Sequence, residues 1–356
     1  MRLLMLPGDG IGPEITAATT EVLSQVSARF DLGLELAEDV VGHASLAQYG
    51  TTIREELVEK AKHSAGVVLG PTATFEFKDP SKGEVNPSML FRKRLDLYAN
   101  IRPNRTFPSL PNRIGPFDLL IARENTEGFY ADRNMEEGIG EVLVTPEVAI
   151  SLRRITRHCS ERIADTAFRL AMTRRKRVTI VHKANVLKIT DGLFLDTCRR
   201  IGANYPEVEI NDELIDAMVA HIVRKPTRFD VILTTNMYGD ILSDLTAELA
   251  GSLGLGASVN AGADYAMAQA SHGSAPDIAG RDVANPFSLI LSAGLLLGWL
   301  GDRHGSGPLR AAAQAIETGV ASAIAEGEVT RDIGGTLGTG AVGTSLARRL
   351  AAAVPA

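Results

Sequence analysis

Thr234-Thr235-Asn236-Met237-Tyr238-Gly239-Asp240-Ile241-Leu242-Ser243-Asp244 is the stretch on which the reading of this chain turns. Residues 229–235, leading into it, are apolar and β-branched and read as a buried strand. Tyr238-Gly239 reads as its break, with Asp240 opening a helix that carries Asp244 one turn later. Residues four apart share a helix face, so both carboxylates point the same way. Acids also suit the first turn of a helix, where unpaired N–H groups carry partial positive charge. Two readings stand side by side: a cap with a solvated acid, or half of an oxygen-donor site for Mg²⁺ or Mn²⁺.

The rest of the chain bounds the choice. Its 356 residues suffice for a large core and two lobes, and 45% hydrophobic with 22% charged residues fits a soluble globular protein. A net charge of −6 gives no basic field for nucleic acid or a membrane surface. Arg174-Arg175-Lys176-Arg177 is a local exception. It reads as charge at a helix end, because no aromatic residues interleave with it. Cys159 and Cys198 are too few for a disulfide framework or a zinc cluster, so a reducing cytoplasm is the expected compartment. Residues 2–6 read as a strand entering a glycine turn rather than as a targeting leader. The longest apolar stretch, 286–300, is too short to span a bilayer and reads as a core helix.

Strands at 2–6, 34–40, 66–69, 97–101, 117–122, 178–181, 208–210 and 229–235 alternate with helices. The helices fall at 13–30, 52–63, 88–94, 146–172, 192–201, 215–223, 286–300, 308–326 and 344–354. The class is therefore α/β. Arg102-Pro103 is expected to end its strand, 131–145 reads as an extended arm, and 248–259 as irregular. Gly8, Gly10 and Gly12 lack the final x-x-G of the dinucleotide fingerprint and the Gly-Lys of a P-loop, so they read as a tight structural turn.

Several side chains carry possible chemistry. Arg92 follows an apolar helical turn, and Arg102 and Arg123 each read as lying just past a strand. A guanidinium grips a carboxylate with two parallel bonds, so three of them converging would describe a di- or tricarboxylate site. Each alone is equally a surface ion pair. Tyr130 and Lys183 lie beyond apolar strands, and near a metal they would serve as proton carriers. His272 has no second His or Cys at ligand spacing, which argues against zinc. Asp277 is placed to accept hydrogen bonds from a ribose diol, favouring NAD over NADP.

Taken together, six stretches resemble the isocitrate/isopropylmalate dehydrogenase family, the metal-dependent β-decarboxylating dehydrogenases. They are Leu6-Pro7-Gly8-Asp9-Gly10-Ile11-Gly12-Pro13-Glu14, Leu95-Asp96-Leu97-Tyr98-Ala99-Asn100-Ile101-Arg102-Pro103, Arg123-Glu124-Asn125-Thr126-Glu127-Gly128, His182-Lys183-Ala184-Asn185, 236–244 and His272-Gly273-Ser274-Ala275-Pro276-Asp277-Ile278-Ala279-Gly280. They stand in the family's order across most of the chain. The resemblance implies a two-lobed α/β fold with a large mixed sheet that is not a Rossmann fold. Residues 1–99 and 250–356 would form the cofactor lobe, and 100–249 the central lobe with the dimerisation arm and the metal site.

By the same resemblance, Arg92, Arg102 and Arg123, with Ser88 and with Asn185 of a second copy, would bind substrate, and Tyr130, with Lys183 of that second copy, would be catalytic. Asp240 and Asp244, with Asp216 of a second copy, would bind Mg²⁺ or Mn²⁺. Ile11, His272, Gly273, Ser274, Ala275, Asp277, Ile278 and Asn285 would line the NAD pocket. The active unit would be a homodimer with shared sites, its partners a small 2-hydroxy-dicarboxylate and neither nucleic acid nor membrane. The implied reaction is NAD-dependent oxidative decarboxylation of a 3-substituted malate. Isopropylmalate stands slightly ahead of D-malate, tartrate, isocitrate and homoisocitrate, and a non-catalytic regulatory paralogue is the alternative. The substrate-reading helix, Val85-Asn86-Pro87-Ser88-Met89-Leu90, matches none of the family's usual patterns fully. Ala268-Gln269-Ala270-Ser271 replaces the usual Glu-Pro stretch, and Gly340-Ala341 stands where a charge is often found. Both departures are expected on the cofactor side.

Overall fold

A computed structural model of the chain describes residues 1–112, 114–130 and 140–352. They divide into two compact units. One comprises Met1–Leu95, Phe107–Pro111 and Ala250–Ala356, the other Asp96–Thr106 and Asn112–Leu249.

The chain begins in the first unit with β1 (Arg2–Leu6), α1 (Gly12–Arg29), β2 (Glu35–Glu38), α2 (His43–Tyr49), α3 (Glu55–Lys62), β3 (Gly66–Leu69) and α4 (Pro87–Arg94). The second unit carries β4 (Ala99–Arg105), β5 (Asp118–Glu124), β6 (Glu141–Thr145), β7 (Val148–Ser151), α5 (Arg157–Met172), β8 (Arg177–His182), α6 (Thr190–Gly202), β9 (Glu209–Leu214), α7 (Ile215–Arg224), β10 (Val231–Thr234) and α8 (Asn236–Ala250). The chain then returns with β11 (Val259–Ala261), β12 (Ala266–Gln269), α9 (Phe287–Arg303), α10 (Gly307–Ala325) and α11 (Thr339–Ala352).

In the first unit β1 lies parallel to β2 and β3, β12 is parallel to β3, and β11 is antiparallel to β12. In the second, β4 is antiparallel to β5, and β5, β10, β8 and β9 follow in parallel. The fold is thus α/β with mixed strand pairing, as the alternating pattern implies. The central parallel strands are unbroken apolar runs, such as Val67-Val68-Leu69 and Val231-Ile232-Leu233, because helices cover both faces. Among the described residues no helix is long and apolar enough to cross a membrane.

Several expectations need correction. Gly239 does not break the chain before Asp240: α8 starts at Asn236, so Asp240 lies in its second turn. The glycine is there for room, since a Cβ on it would stand 2.7 Å from Arg123 Cβ and 2.6 Å from its Cγ. Arg102-Pro103 does not end β4, which continues to Arg105 with Pro103 opposite Leu120. An antiparallel strand turns only every second N–H toward a given neighbour, so one missing donor is tolerated. Arg102 and Arg123 therefore lie inside strands, not past them.

The single helix expected at 146–172 is a strand and a shorter helix. Val148 and Ile150 alternate in β7, which pairs antiparallel with β6, and Thr156 caps α5 by accepting from Cys159 N at 3.2 Å. Residues 131–139 of the expected arm lie outside those described, and 141–145 form β6. The short elements α2, β11 and β12 carry too few residues for a period to show. The basic run at 174–177 is matched by acids, with Arg174 on Asp118 and Asp230, Lys176 on Glu207 and Arg177 on Glu209.

Candidate active site

Strand register builds the centre of the second unit. Asn100 of β4 pairs with Arg123 of β5, and Arg102 with Ile121. Side chains two apart share a sheet face, so Asn100, Arg102 and Arg123 project together. Arg123 is 1% exposed. Its Nε and Nη2 donate to Asn236 Oδ1 at 3.0 and 2.6 Å, Nη1 pairs with Asp240, and Nη2 donates to the Tyr130 hydroxyl at 3.0 Å. That hydroxyl donates onward to Asp240 Oδ2 at 2.7 Å. Arg102 donates from Nε to Asn100 Oδ1 and from Nη1 to Ser243 Oγ, each at 2.6 Å. It also stands 3.5 Å from Asp240 and 3.4 Å from Asp244.

The electrostatics follow from crowding two cations and two anions. Burial, then the neighbouring charge of Arg123, brings Arg102 down to about 10. Burial, then the charge of Asp240, raises Asp244 above the usual carboxylate range, although Arg102 opposes the shift. Asn236 Nδ2 is buried without a hydrogen-bond partner, a donor facing no acceptor of the described chain. Such an arrangement suits an anion at the guanidiniums and a hard cation at the carboxylates.

The loop leading to Tyr130 hangs on two buried acids. Glu124 accepts from Thr126 N at 2.7 Å and Glu127 N at 2.9 Å. Glu127 accepts from Thr156 N at 2.9 and 3.0 Å, and burial, then the charge of Glu124, pushes its carboxyl up to about 7.

Lys183 and Asp216 form a second cluster of this unit. Lys183 Nζ donates to Asp216 Oδ1 at 2.5 Å, and that bond holds the exposed Asp216 carboxyl below its usual range. Asp191, fully buried, accepts from Lys183 N at 2.6 Å and from Tyr238 Oη at 3.3 Å, and pairs with Arg153. Asn185 is exposed beside Lys183. One chain therefore brings Asp240, Asp244, Tyr130, Arg102 and Arg123 together but not Asp216. Among the described residues no three His, Cys, Asp or Glu side chains gather as a metal-ion set.

The first unit builds its loops from backbone. Gly8 and Gly10 hold φ of +76° and +60°, and Ile11 N donates to Ser274 O at 2.9 Å. Asp9 ties the turn down by accepting from His43 N at 2.7 Å and Ala73 N at 2.9 Å. On the facing loop Ser274, Ala275 and Ile278 are half-buried, while Gly273 and Asp277 are exposed. His272 Nε2 is buried with no partner, and burial pushes the ring's pKa below its ordinary value. Asn285 donates to Asp332 Oδ2 at 3.0 Å. Ser88 and Arg92, both buried on α4, donate to Gln269 Oε1 at 3.0 and 3.1 Å.

The residues that the sequence reading missed are the neutral partners Asn100, Asn236 and Ser243, and the buried acid Asp191; Gln269 was singled out, but for the cofactor side. Asn236 stands four before Asp240, and Asn100 two before Arg102. Those are the spacings at which helix and strand neighbours share a face, so two of the four left a trace in the sequence.

Comparison with known proteins agrees with this geometry. The family model described as isocitrate/isopropylmalate dehydrogenase matches residues 2–347. A 3-isopropylmalate dehydrogenase of Methanothermobacter thermautotrophicus is 38% identical over 351 residues, covering 98% of each chain. An isocitrate/homoisocitrate dehydrogenase of Thermus thermophilus is 41% identical over 335 residues, 94% of each. The crystal structure of an isocitrate dehydrogenase from Methylococcus capsulatus superposes with a TM-score of 0.87 at 36% identity, covering 98% of this chain and 99% of that one. The chain belongs to the isocitrate/isopropylmalate dehydrogenase family.

Proposed function

We propose that this chain is an NAD-dependent, Mg²⁺- or Mn²⁺-dependent oxidative decarboxylase of a 3-substituted malate, with 3-isopropylmalate the first substrate to try. The observation that carries the reading is the pair of buried guanidiniums, Arg102 and Arg123, locked side by side against Asp240 and Asp244 with Tyr130 between. Two adjacent buried cations call for an anion, and a malate offers two carboxylates in bidentate reach.

Asp240 and Asp244 fit a divalent ion: both offer hard oxygen donors from one helix face, and the Asp244 carboxyl is raised first by burial and then by the charge of Asp240, which a cation would offset. Asp216 of a second copy is the proposed third ligand, which makes the active unit a homodimer. Exposed Val186 and Ile189 beside Lys183, and exposed Val142, Leu143, Val148 and Ile150 of the β6–β7 hairpin, support burial against another copy. When bound, the ion supplies Lewis-acid polarisation at the substrate's hydroxyl oxygen, and NAD supplies the hydride acceptor. His272 Nε2, Ile11 and Asn285, with 273–278, are the proposed cofactor contacts.

The chain's own residues do the rest. The arginines fix the substrate so that only one C–H can be lost as hydride. Lys183 of the second copy, which comes with Asp216, takes the hydroxyl proton directly or through water. Loss of the β-carboxylate as CO₂ leaves an enolate, and Tyr130, already donating to Asp240 and accepting from Arg123, protonates its carbon. The test is NADH formation with 3-isopropylmalate, isocitrate, homoisocitrate, D-malate and tartrate, with and without Mn²⁺, and Mn²⁺ binding followed by electron paramagnetic resonance. Turnover with one acid, dependent on Mn²⁺, is expected. Mn²⁺ and NAD binding without turnover of any acid would overturn the reading in favour of a regulatory subunit.

A further inference from the structure

Asp191 is fully buried, yet the reaction proposed for this chain gives it no part. It stands in the first turn of α6, where an acid commonly serves the helix dipole. Its carboxylate turns instead to groups outside that helix. Oδ1 pairs with Arg153, and Oδ2 accepts from Lys183 N at 2.6 Å and from Tyr238 Oη at 3.3 Å. The bond to Lys183 closes a ring: Lys183 O accepts from Leu187 N at 2.8 Å, Leu187 O from Asp191 N at 3.0 Å, and Asp191 Oδ2 from Lys183 N. Ala184 N is committed too, donating to His182 Nδ1 at 3.0 Å. On the other side Arg153, its side chain 7% exposed, donates to Thr190 Oγ1 at 3.1 Å and to Thr235 Oγ1 at 3.2 Å. Its guanidinium stands 5.5 Å from the Phe129 ring and 5.4 Å from that of Tyr238. The loop fixed in this way carries the exposed Val186 and Ile189.

We propose that Asp191 is a positioning residue for Lys183, and that it acts on the site of the second copy, to which that lysine is lent. The proposal rests on the reading of Lys183 as the group that takes the hydroxyl proton. Closure of the ring sets the direction in which the lysine side chain leaves the loop, and proton transfer demands that its amine arrive within hydrogen-bond reach. A carboxylate is needed because its two oxygens face donors on two sides. An amide offers one oxygen and one NH₂ group, and neither Arg153 nor Lys183 N can accept from the latter. The guanidinium takes the oxygen, since a charge-assisted bond is about twice as strong as a neutral one, and the lysine turn loses its closure.

The test uses the full-length wild type, Asp191→Asn and Asp191→Glu. Hydrogen exchange read by mass spectrometry, without added ligand, should show residues 183–187 exchanging about tenfold faster in Asp191→Asn, with β5 unchanged. For whichever acid turns over with Mn²⁺, kcat should fall about 100-fold with KM within about threefold, because the lysine moves and the arginines do not. Asp191→Glu keeps both oxygens but carries them one methylene further, and its kcat should fall about tenfold. Thermal melts confirm folding; should Asp191→Asn fail to fold, Asp191→Glu replaces it in every arm. The last arm mixes chains. Asp191→Asn and Asp240→Asn chains, co-expressed with different tags and purified as a heterodimer, leave one site that joins Asp240 of the first chain to the well-aimed Lys183 of the second. Activity should return to about half of wild type, as it should for the control pair Lys183→Met with Asp240→Asn. Recovery in the control pair alone, unchanged exchange at 183–187, or wild-type kcat in Asp191→Asn overturns the proposal. No recovery in the control pair overturns the shared-site reading, and a wild type inactive on every acid overturns the substrate reading; this inference falls with either.

Discussion

Two loops of this molecule are fixed in opposite ways. Around Tyr130 and the two arginines, side chains hold side chains: Asn236, Ser243, Asn100 and Asp240 each accept from a guanidinium. Around 272–278, backbone holds backbone: Ile11 N on Ser274 O, and Asp9 N on Pro71 O at 2.7 Å. A site that handles charge is organised by charged and amide groups seated on strands and a helix. The loop proposed to take the cofactor is organised by turns whose amides are already committed. Substitutions should therefore damage chemistry in the first region and shape in the second.

Four experiments probe that contrast, beginning with the largest effect. Asp240→Asn keeps the size of the side chain but removes its charge, and turnover should fall on the order of 10²- to 10³-fold. Its melting temperature and NAD affinity should change little. Near-normal kcat with Mn²⁺ would remove Asp240 from the chemistry. Gly10→Ala should do the reverse. Its Cβ would stand 1.9 Å from Ser274 O at a φ of +60°, costing about 1–3 kcal/mol and weakening NAD about tenfold. Fluorescence titration with NADH checks this, and an unchanged affinity would show that the turn does not shape the pocket.

The third variant is Glu127→Gln, in the loop leading to Tyr130. With its carboxyl at about 7 in the folded chain against an ordinary 4.5, Glu127 holds a proton through a window in which the unfolded chain has released it. Stability from this group is full below about 4.5, and it is lost as pH rises toward 7. An amide at this position cannot ionise, so the variant should melt less pH-dependently between pH 5 and 8 and gain about 1–2 kcal/mol at pH 8. Parallel melting curves for both proteins would contradict the shift. The smallest effect is that of Asp277→Lys on the exposed loop, where a preference for NAD over NADP should narrow about threefold to tenfold. A native preference for NADP would end the ribose role proposed for Asp277.

What was legible in the sequence follows the same contrast. The ionic cluster announces itself, because Asp240 and Asp244 are four apart and Tyr130 stands seven residues after Arg123. Repeating helical and apolar strand patterns likewise located α1, α3, α9, β3 and β10 to within a few residues. The contacts of the neutral partners were not legible, because Asn236 to Arg123 spans 113 residues and Gln269 to Ser88 spans 181. No local period encodes contacts of that range. Gly239 misled for a related reason: glycine's weak helix propensity predicted a break, whereas its missing side chain accommodates Arg123 from another element. At 146–156 the helix pattern was extended too far, because alternating Val148 and Ile150 were read together with the helix beyond the Thr156 cap.

The groove at Gly239 has a consequence for timing. The aliphatic stem of Arg123 lies against a bare stretch of α8, and both ends of its guanidinium are already bound, so the side chain has nowhere else to go. A free arginine surrenders up to about 2 kcal/mol of rotamer freedom on being ordered. Here that loss falls on folding, once, and a ligand arriving later meets a receptor that does not have to be frozen again on every cycle.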